Sequence, residues 1–359
     1  MVGKRVLIPI CTFVLTILSV LSAAQDSASG KESINAGDLE CHVSFLASPL
    51  MNGRANGAPE LDIALNYLVS QAGLNGLKPA GDSGYFQNYS VVRSKNALRW
   101  PYYTLKSTGN NSRENVGEEI ALRNVIAWIE GCDPVLKSEY VVFSCHADHI
   151  GRINGEIHPG ADDNASGCAA LLEIAQAFQT SPEKPLRSVV FLWLTGEEIG
   201  LLGSQAYVKN PPFPLDRTVA DLNIDMIGRV KGIADTTLDT PVTGPYGVFV
   251  ISDDQSRELM QIAENADEGS IIDFDYSLSG RTHHLNLFAR SDQYNFVMND
   301  IPSLFFTTGL HSDYHTSNDV TEKIDFKKME QITKCIFDIG LEIANKKQEL
   351  QVDNPYSKR

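Results

Sequence analysis

Histidine and carboxylate side chains recur at points where apolar stretches of this chain end, and side chains placed in this way can bind a metal ion. Each lies in a short polar motif after an apolar run or at the start of a helical pattern. In chain order the motifs are CHAD (145–148), GADDNASG (160–167), TGEE (195–198), NIDM (223–226) and DYHT (313–316). Imidazole nitrogen and carboxylate oxygen are ligands that suit zinc. The motifs together predict a zinc site of mixed ligands.

The number of candidate ligands exceeds the need of one ion. A catalytic zinc takes three protein ligands and a water, whereas five ligands, one of which bridges, suit two metals about 3.5–4 Å apart. Of the adjacent acids Glu197 and Glu198, one is expected to bind metal while the other stays free to take a proton from water. Asp148 follows His146 by two residues and can accept the second imidazole N–H on an extended segment.

The elements that must position these residues are apolar strands alternating with helices. Continuous apolar runs predict buried strands, and amphipathic spacing predicts helices at 166–178 and 325–346. The predicted strands cover 140–143, 188–194, 219–224 and 303–306. This order indicates an α/β protein of three layers, αβα, with a mainly parallel, mixed central sheet. Ligands in such sheets bind at the carboxyl ends of the strands, so the five motifs are expected to converge there.

Each motif alone has a plainer interpretation. An isolated Asp-Asp-Asn is most often a helix cap, and a Glu-Glu pair is usually a solvated surface. Five such motifs, each at a strand end or a helix start, are harder to explain in that way, and we therefore favour the metal site.

The rest of the chain predicts one catalytic domain with short extensions. The predicted segments are a signal peptide at 1–24, a flexible mature N-terminus at 25–37, a single domain at 38–349 that starts with a helical lead-in at 38–92, and a polar tail at 350–359. The Gly-, Asp- and Thr-rich stretch 230–290 has weak periodicity and predicts loops over one end of the sheet. Within it and just after it, Arg281, His283, His284, Ser291 and Asp292 either shape a substrate pocket or are ordinary loop residues.

The first residues have the pattern of a secretory signal peptide. Two basic residues precede an apolar run that ends at about Leu21, and Ser22-Ala23-Ala24 supplies small residues for cleavage. The pattern predicts a secreted or periplasmic protein that has no membrane segment after cleavage.

Charge and cysteine content exclude other functions. The chain has 30 Lys and Arg against 45 Asp and Glu, a net charge of −15. Nucleic acids and anionic membranes require clustered basic residues, so neither is an expected partner. The cysteines show no CxxC spacing, which argues against a thiolate zinc site.

As a set, HADH, GADDNASG, LTGEEIGLLGS, NIDMIG and DYHTSND resemble the ordered signatures of peptidase family M28, the zinc aminopeptidases that include the bacterial leucine and Streptomyces-type enzymes. The resemblance covers roughly residues 120–345 and implies a zinc-exopeptidase-like fold. Many relatives carry a protease-associated domain before the HxD motif, but the interval 93–124 is too short for one. The resemblance therefore implies a bare catalytic domain.

The resemblance also implies a role for each motif residue. His146 and Asp225 would bind the first zinc, Glu198 and His315 the second, and Asp163 would bridge the two. Glu197 would be the general base, acting on a water between the metals, and Asp148 would brace His146. Asp162, the neighbour of the bridging residue, has no role in this scheme. Some relatives carry Ser where this chain has His149, and the resemblance gives that imidazole no role.

The implied activity is hydrolysis of the N-terminal bond of peptides or proteins with a free N-terminus, with two Zn²⁺ per chain. Three alternatives remain on the same fold: a glutaminyl-cyclase-like reaction at a single zinc, a carboxypeptidase, and a non-catalytic binding domain. Retention of all five ligands disfavours the cyclase, and retention of Glu197 disfavours the binding domain. A serine hydrolase would need a GxSxG turn after a strand, and no predicted strand ends in one.

Overall fold

The computed structural model describes residues 29–94, 102–106, 117–235 and 241–358. The predicted signal peptide lies outside these ranges, as do residues 95–101 and 107–116 of the interval considered too short for an inserted domain. Among the described residues, no helix combines the length and apolar character that crossing a bilayer requires.

Strands and helices alternate through the second half of the chain, as the apolar runs predict. The strands are β1 (Lys78–Pro79), β2 (Phe86–Ser94), β3 (Tyr103–Leu105), β4 (Gly117–Ile129), β5 (Tyr140–His146), β6 (Arg152–Ile153), β7 (Glu156–Ile157), β8 (Ser188–Leu194), β9 (Thr218–Ile224), β10 (Gly247–Ile251), β11 (Asp273–Asp275) and β12 (Ser303–Thr307). The helices are α1 (Ser29–Glu32), α2 (Ala36–Leu46), α3 (Pro59–Leu74), α4 (Gly167–Thr180), α5 (Leu202–Lys209), α6 (Arg257–Glu268), α7 (Gln293–Val297) and α8 (Phe326–Asn345).

The central sheet is mixed, with a parallel centre. Its strands follow the order β11-β10-β12-β9-β5-β8-β4-β2-β3, and β1 pairs with β4. The four central strands β12, β9, β5 and β8 run parallel to one another, whereas β4, β2 and β3 continue the sheet in antiparallel fashion. All four parallel strands therefore end at one edge, where their connecting loops meet.

Helices cover both faces of the sheet because the central strands are apolar on both sides. Val141 and Phe143 of β5 point into the larger core, which is completed by α2, α3, α4 and α8. Val142 points to the opposite face and packs with Tyr207 of α5 and Phe296 of α7. This alternation along one strand produces the three layers, and the αβα fold class predicted from sequence is confirmed.

Both ends of the predicted domain are more ordered than expected. The segment 25–37 was expected to be flexible, but Ser29–Glu32 is helical and Ile34 is fully buried in the main core. The tail 350–359 is predicted to be polar, yet Leu350 is buried in the same core. Each segment places one apolar side chain in the main core, and so small an apolar signal leaves no periodicity in the sequence.

Two internal predictions also need correction. The lead-in 38–92 is not wholly helical, because it ends in β2, which pairs along its length with β4. The stretch 230–290 is not only loops, since it adds β10, α6 and β11 to the fold. These elements lie at the margin of the sheet, and α6 buries only Leu259, Ile262 and Ala263. The apolar content of α6 is therefore low compared with that of the central strands, whereas β10 is as apolar as they are.

Candidate metal centre

The ends of the four parallel strands bring the predicted ligands together. His146 is the last residue of β5, and Asp225 directly follows β9. Glu197 and Glu198 lie just after β8, and His315 lies in the loop after β12. These loops meet because the four strands are neighbours that point the same way.

Asp163 comes from the segment before α4, where the backbone leaves the helical region. Asp163 has φ −100° and ψ 93°, and Asn164 is also non-helical. The Asn164 side chain holds this turn against β9, since its amide donates to the Ile224 carbonyl at 2.8 Å and its oxygen accepts from the Gly167 N–H at 2.9 Å. Asp163 is thereby presented to the strand ends instead of capping the helix.

Two groups of potential ligands lie next to each other. The first contains His146, Glu197 and Asp225, and His146 Nε2 lies 3.3 Å from Asp225 Oδ1. In the second group, His315 Nε2 lies 3.0 Å from Asp163 Oδ2 and 3.1 Å from Glu198 Oε2. The second group also contains His149, for which the family resemblance implies no role.

Asp163 connects the two groups. Its Oδ1 lies 3.3 Å from His146 Nε2, while its Oδ2 faces His315. The carboxylate is almost completely buried, with 3% of the residue exposed. One oxygen facing each group is the arrangement that a carboxylate bridging two metals requires.

The residues present fit metal ions, because several buried polar atoms here lack hydrogen-bond partners. Among the described residues these include both ring nitrogens of His149, Glu198 Oε1 and His315 Nε2. An unpaired buried polar atom costs free energy, whereas a cation placed between such nitrogen and oxygen atoms would satisfy them. The two groups consist of imidazoles and carboxylates alone, a donor set that suits zinc.

The electrostatics of the centre also favour cations. Burial lowers the pKa of His315, but the nearby Asp163 and Glu198 outweigh it and raise that pKa to about 10. Burial lowers the pKa of His146 as well, and Asp225 and Glu197 reverse the effect so that it rises well above its ordinary value. In each case the carboxylates stabilise positive charge.

The pKa values of Glu197 and Asp163 are shifted in opposite directions. Burial and the neighbouring carboxylates Glu198 and Asp225 raise the pKa of Glu197 well above the ordinary range. By contrast, burial alone would raise the pKa of Asp163, but the surrounding imidazoles have the larger effect and hold that pKa well below the ordinary range. The centre therefore contains one carboxyl that retains a proton readily beside another that stays ionised.

Asp148 has more partners than the predicted contact with His146. His146 Nδ1 lies 3.1 Å from the main-chain carbonyl of Asp148 and 3.8 Å from its carboxylate. The carboxylate accepts from the N–H groups of Glu197 and Glu198, both at 3.3 Å, and from the Asn56 amide at 2.6 Å. Asp148 therefore holds the loop that carries both glutamates.

Asp162 points away from the two groups. Its Oδ1 accepts from the Gly228 N–H at 2.6 Å, and its Oδ2 lies 3.3 Å from His311. Asp319 completes this support, since one of its oxygens accepts from the N–H groups of Asp162 and Asp163 at 3.0 Å. Asp162 and Asp319 fix the turn that presents Asp163.

Arg54 ties the N-terminal lead-in to the centre. The side chain is 1% exposed, and its guanidinium donates to five main-chain carbonyls. The acceptors are Ala147 at 3.0 Å, Leu46 at 2.8 Å, Pro159 at 2.5 Å, Gly160 at 3.1 Å and Asp163 at 3.5 Å. Arg54 thus joins the loop of His146 to the turn of Asp163. Sequence reasoning missed it, because nothing local distinguishes this arginine from a surface one.

A cavity opens beside the ligands. It is lined by Asp163, Glu197, Asp225, Met226, Leu287, Arg290, Phe305, Thr307, Gly309, Leu310 and Tyr314. The candidate pocket residues Arg281, His283, His284, Ser291 and Asp292 are not in this lining. Arg281 pairs with Asp253, and the Ser291 hydroxyl donates to Asp225 Oδ2 at 2.7 Å. Met226, Leu287, Phe305 and Leu310 make up the apolar part of the lining, and Arg290, Thr307, Tyr314 and the three carboxylates make up the polar part.

The chain is similar in sequence to a known aminopeptidase and in fold to another. Probable leucine aminopeptidase 1 of Trichophyton verrucosum is 30% identical over 235 residues, which is 62% of this chain and 58% of that protein. The chain thus spans less than two thirds of this relative's length. BSAP, a zinc aminopeptidase from Bacillus subtilis, shares the fold with a TM-score of 0.62 at 15% identity, over 90% of this chain and 99% of its own.

A second solved structure with the same fold is named for a different reaction from that of BSAP. Porphyromonas gingivalis glutaminyl cyclase has a TM-score of 0.61 at 16% identity, covering 86% of this chain and 98% of its own. The fold alone therefore does not choose between hydrolysis and cyclisation. Residues 124–339, which carry all five motifs, match the model of peptidase family M28, and the resemblance seen in the motifs is confirmed: this chain belongs to peptidase family M28.

Proposed function

We propose that this chain is an exported aminopeptidase that holds two zinc ions. His146, Asp163 and Asp225 would bind the first ion, and Asp163, Glu198 and His315 the second. The observation that carries the proposal is the Asp163 carboxylate, whose two oxygens face His146 and His315 at 3.3 and 3.0 Å. A buried carboxylate shared between two ligand groups is expected of a two-metal hydrolase.

When bound, the zinc ions would polarise a water molecule and the scissile carbonyl. Glu197 lies in the first group and lines the cavity, so it can reach a water held there. Its raised pKa suits a group that takes a proton from water and returns it to the leaving amine. Asp148 would hold Glu197 in place through the main chain, and it is not among the residues that line the cavity.

The cavity supports recognition of a substrate N-terminus. Met226, Leu287, Phe305 and Leu310 can accept an apolar side chain, while the carboxylates at the same cavity favour a protonated or metal-bound α-amino group. The proposal that the chain removes apolar N-terminal residues rests on the presence of apolar side chains and carboxylates in the same cavity. The name leucine aminopeptidase of the relative points the same way.

A set of three peptides tests which terminus is read. The zinc-loaded protein is expected to cleave Leu-Gly-Phe and its C-terminal amide at similar rates and to leave the N-acetylated peptide intact, because acetylation removes the amine that the carboxylates attract. The measurement is chromatography of the released amino acids: an aminopeptidase releases leucine first, and a carboxypeptidase releases phenylalanine first. Cleavage of the acetylated peptide together with failure on the amide would instead indicate a carboxypeptidase with Arg290 as the carboxylate-binding residue.

Two further outcomes separate the remaining alternatives. A peptide with N-terminal glutamine should release glutamine, whereas a cyclase would release ammonia and leave a blocked N-terminus. A protein that binds zinc and turns over none of the peptides would be a binding domain on this fold.

Export is proposed from the residues before the described fold. The basic start, apolar run and small residues of 1–24 support cleavage near Ala24 into the periplasm or medium. Intact-mass measurement of the protein recovered outside the cytoplasm should give a chain that begins near Gln25. Recovery of the full-length chain in the membrane fraction would contradict cleavage.

A further inference from the structure

His149 is a buried imidazole in the metal centre with no assigned task. It is 1% exposed, and among the described residues neither ring nitrogen has a partner in hydrogen-bond geometry. A buried imidazole without partners is costly, so its position requires a compensating interaction.

The ring points its Nδ1 toward the second group of ligands. Nδ1 lies 2.7 Å from Glu198 Oε1 and 3.7 Å from Asp163 Oδ2. The contact with Glu198 is short but lacks hydrogen-bond angles, and Glu198 Oε1 is itself without a partner. The two atoms are therefore better satisfied by a third atom placed between them.

The orientation of the ring is fixed by its surroundings. Gly160 lies against it, and a Cβ at that position would fall 2.6 Å from His149 Cδ2. On another side the ring meets His315 edge-on, with centroids 5.6 Å apart and an interplanar angle of 71°. The main-chain N–H of His149 donates to the main-chain carbonyl of Arg54 at 3.2 Å. These contacts leave Nδ1 directed toward Glu198 and Asp163.

The distances match one tetrahedral ion. Four ligands at about 2.0 Å from a zinc ion lie roughly 3.3 Å from one another. The four imidazole–carboxylate separations are close to this value: His149 Nδ1 lies 2.7 Å from Glu198 Oε1 and 3.7 Å from Asp163 Oδ2, and His315 Nε2 lies 3.0 Å from Asp163 Oδ2 and 3.1 Å from Glu198 Oε2. All four residues offer ligand atoms within 4.8 Å of one another.

We infer that His149 is a fourth protein ligand of the second metal, through Nδ1. The inference extends the two-zinc proposal and rests on it. The second metal is then held by two imidazoles and two carboxylates, while the first has His146, Asp163 and Asp225. Fewer protein ligands leave the first metal the more open of the two. Glu197 lies in that first group, so the proton-transfer residue accompanies the more open metal.

Cadmium-113 NMR tests this assignment directly. A metal-bound imidazole shows scalar coupling between its ring protons and the ¹¹³Cd nucleus, so the number of coupled histidines counts the ligands. The cadmium-loaded wild-type protein should show three, namely His146, His149 and His315. The His149→Gln variant should show two and bind its second cadmium at least about 100-fold more weakly, since even supporting residues of metal sites contribute 10–100-fold.

His311→Gln is the matched control. His311 is also buried, and its ring nitrogens also lack partners among the described residues, but it lies outside both ligand groups. This variant should retain three coupled imidazoles. Two coupled imidazoles in the wild-type protein would overturn the inference and leave His149 as a neighbour of Glu198, with the two-metal proposal intact. Failure of the wild-type protein to take up two cadmium ions would instead contradict the proposed function.

Discussion

Replacing Glu197 with Gln should lower kcat for peptide hydrolysis by about 10³–10⁴-fold while both metals stay bound. General acid–base catalysis contributes on this order, equivalent to roughly 4–5.5 kcal/mol in activation free energy. The amide keeps the shape of the side chain but cannot take a proton from water. Glu197 itself is proposed to bind no metal, so zinc content measured by mass spectrometry should remain near two per chain.

The neighbouring acid provides the contrast. Glu198 lies 3.1 Å from His315 and is a proposed ligand, so Glu198→Gln should lose both activity and the second zinc. Glu183→Gln changes an exposed glutamate outside the centre and should alter neither. If Glu197→Gln lost a zinc ion, or if Glu198→Gln kept both and retained activity, the two roles would have to be exchanged or abandoned.

Replacing Arg54 with Met should destabilise the fold by about 3–5 kcal/mol and weaken metal binding as well. A buried acceptor that loses its donor costs about 1–3 kcal/mol, and the variant leaves several such carbonyls without one. Five carbonyls lose their donor here, among them those of Ala147 and Asp163. Since the total stability of a domain is only about 5–15 kcal/mol, the loss should be obvious in denaturant unfolding.

Arg187→Met separates stability from site geometry. Arg187 is equally buried and donates to the carbonyls of Ile343 and Gln348, but it lies next to the first residue of β8, at the opposite end of that strand from Glu197. Both variants should unfold at lower denaturant concentration. Only Arg54→Met should also raise the dissociation constant for zinc, measured under conditions where each variant remains folded. Equal zinc affinity in the two variants would show that Arg54 supports the fold alone.

Much of the fold followed from local sequence because buried parallel strands must be apolar along their whole length. The prediction for 188–194 coincides with β8, and the C-terminal helix, predicted at 325–346, is Phe326–Asn345. Elements at the margin of the sheet were missed, because partly exposed elements such as α6 need only a few apolar residues. The burial of Ile34 and Leu350 was also missed, because each is a single apolar side chain whose place in the core is visible only in the folded structure.

The candidate ligands and base His146, Asp163, Glu197, Glu198, Asp225 and His315 could be predicted from the sequence as a set, since their types and their places at strand ends require no knowledge of packing. The residues that surround them are known only from the folded structure. His149 follows His146 by three residues and would point to the opposite face if β5 continued, but the strand ends at His146 and the chain turns back. Arg54 and Asn56 reach the centre across about 90 residues of sequence. Contacts of this kind depend on where the folded backbone passes, and no local pattern of residue types records that path.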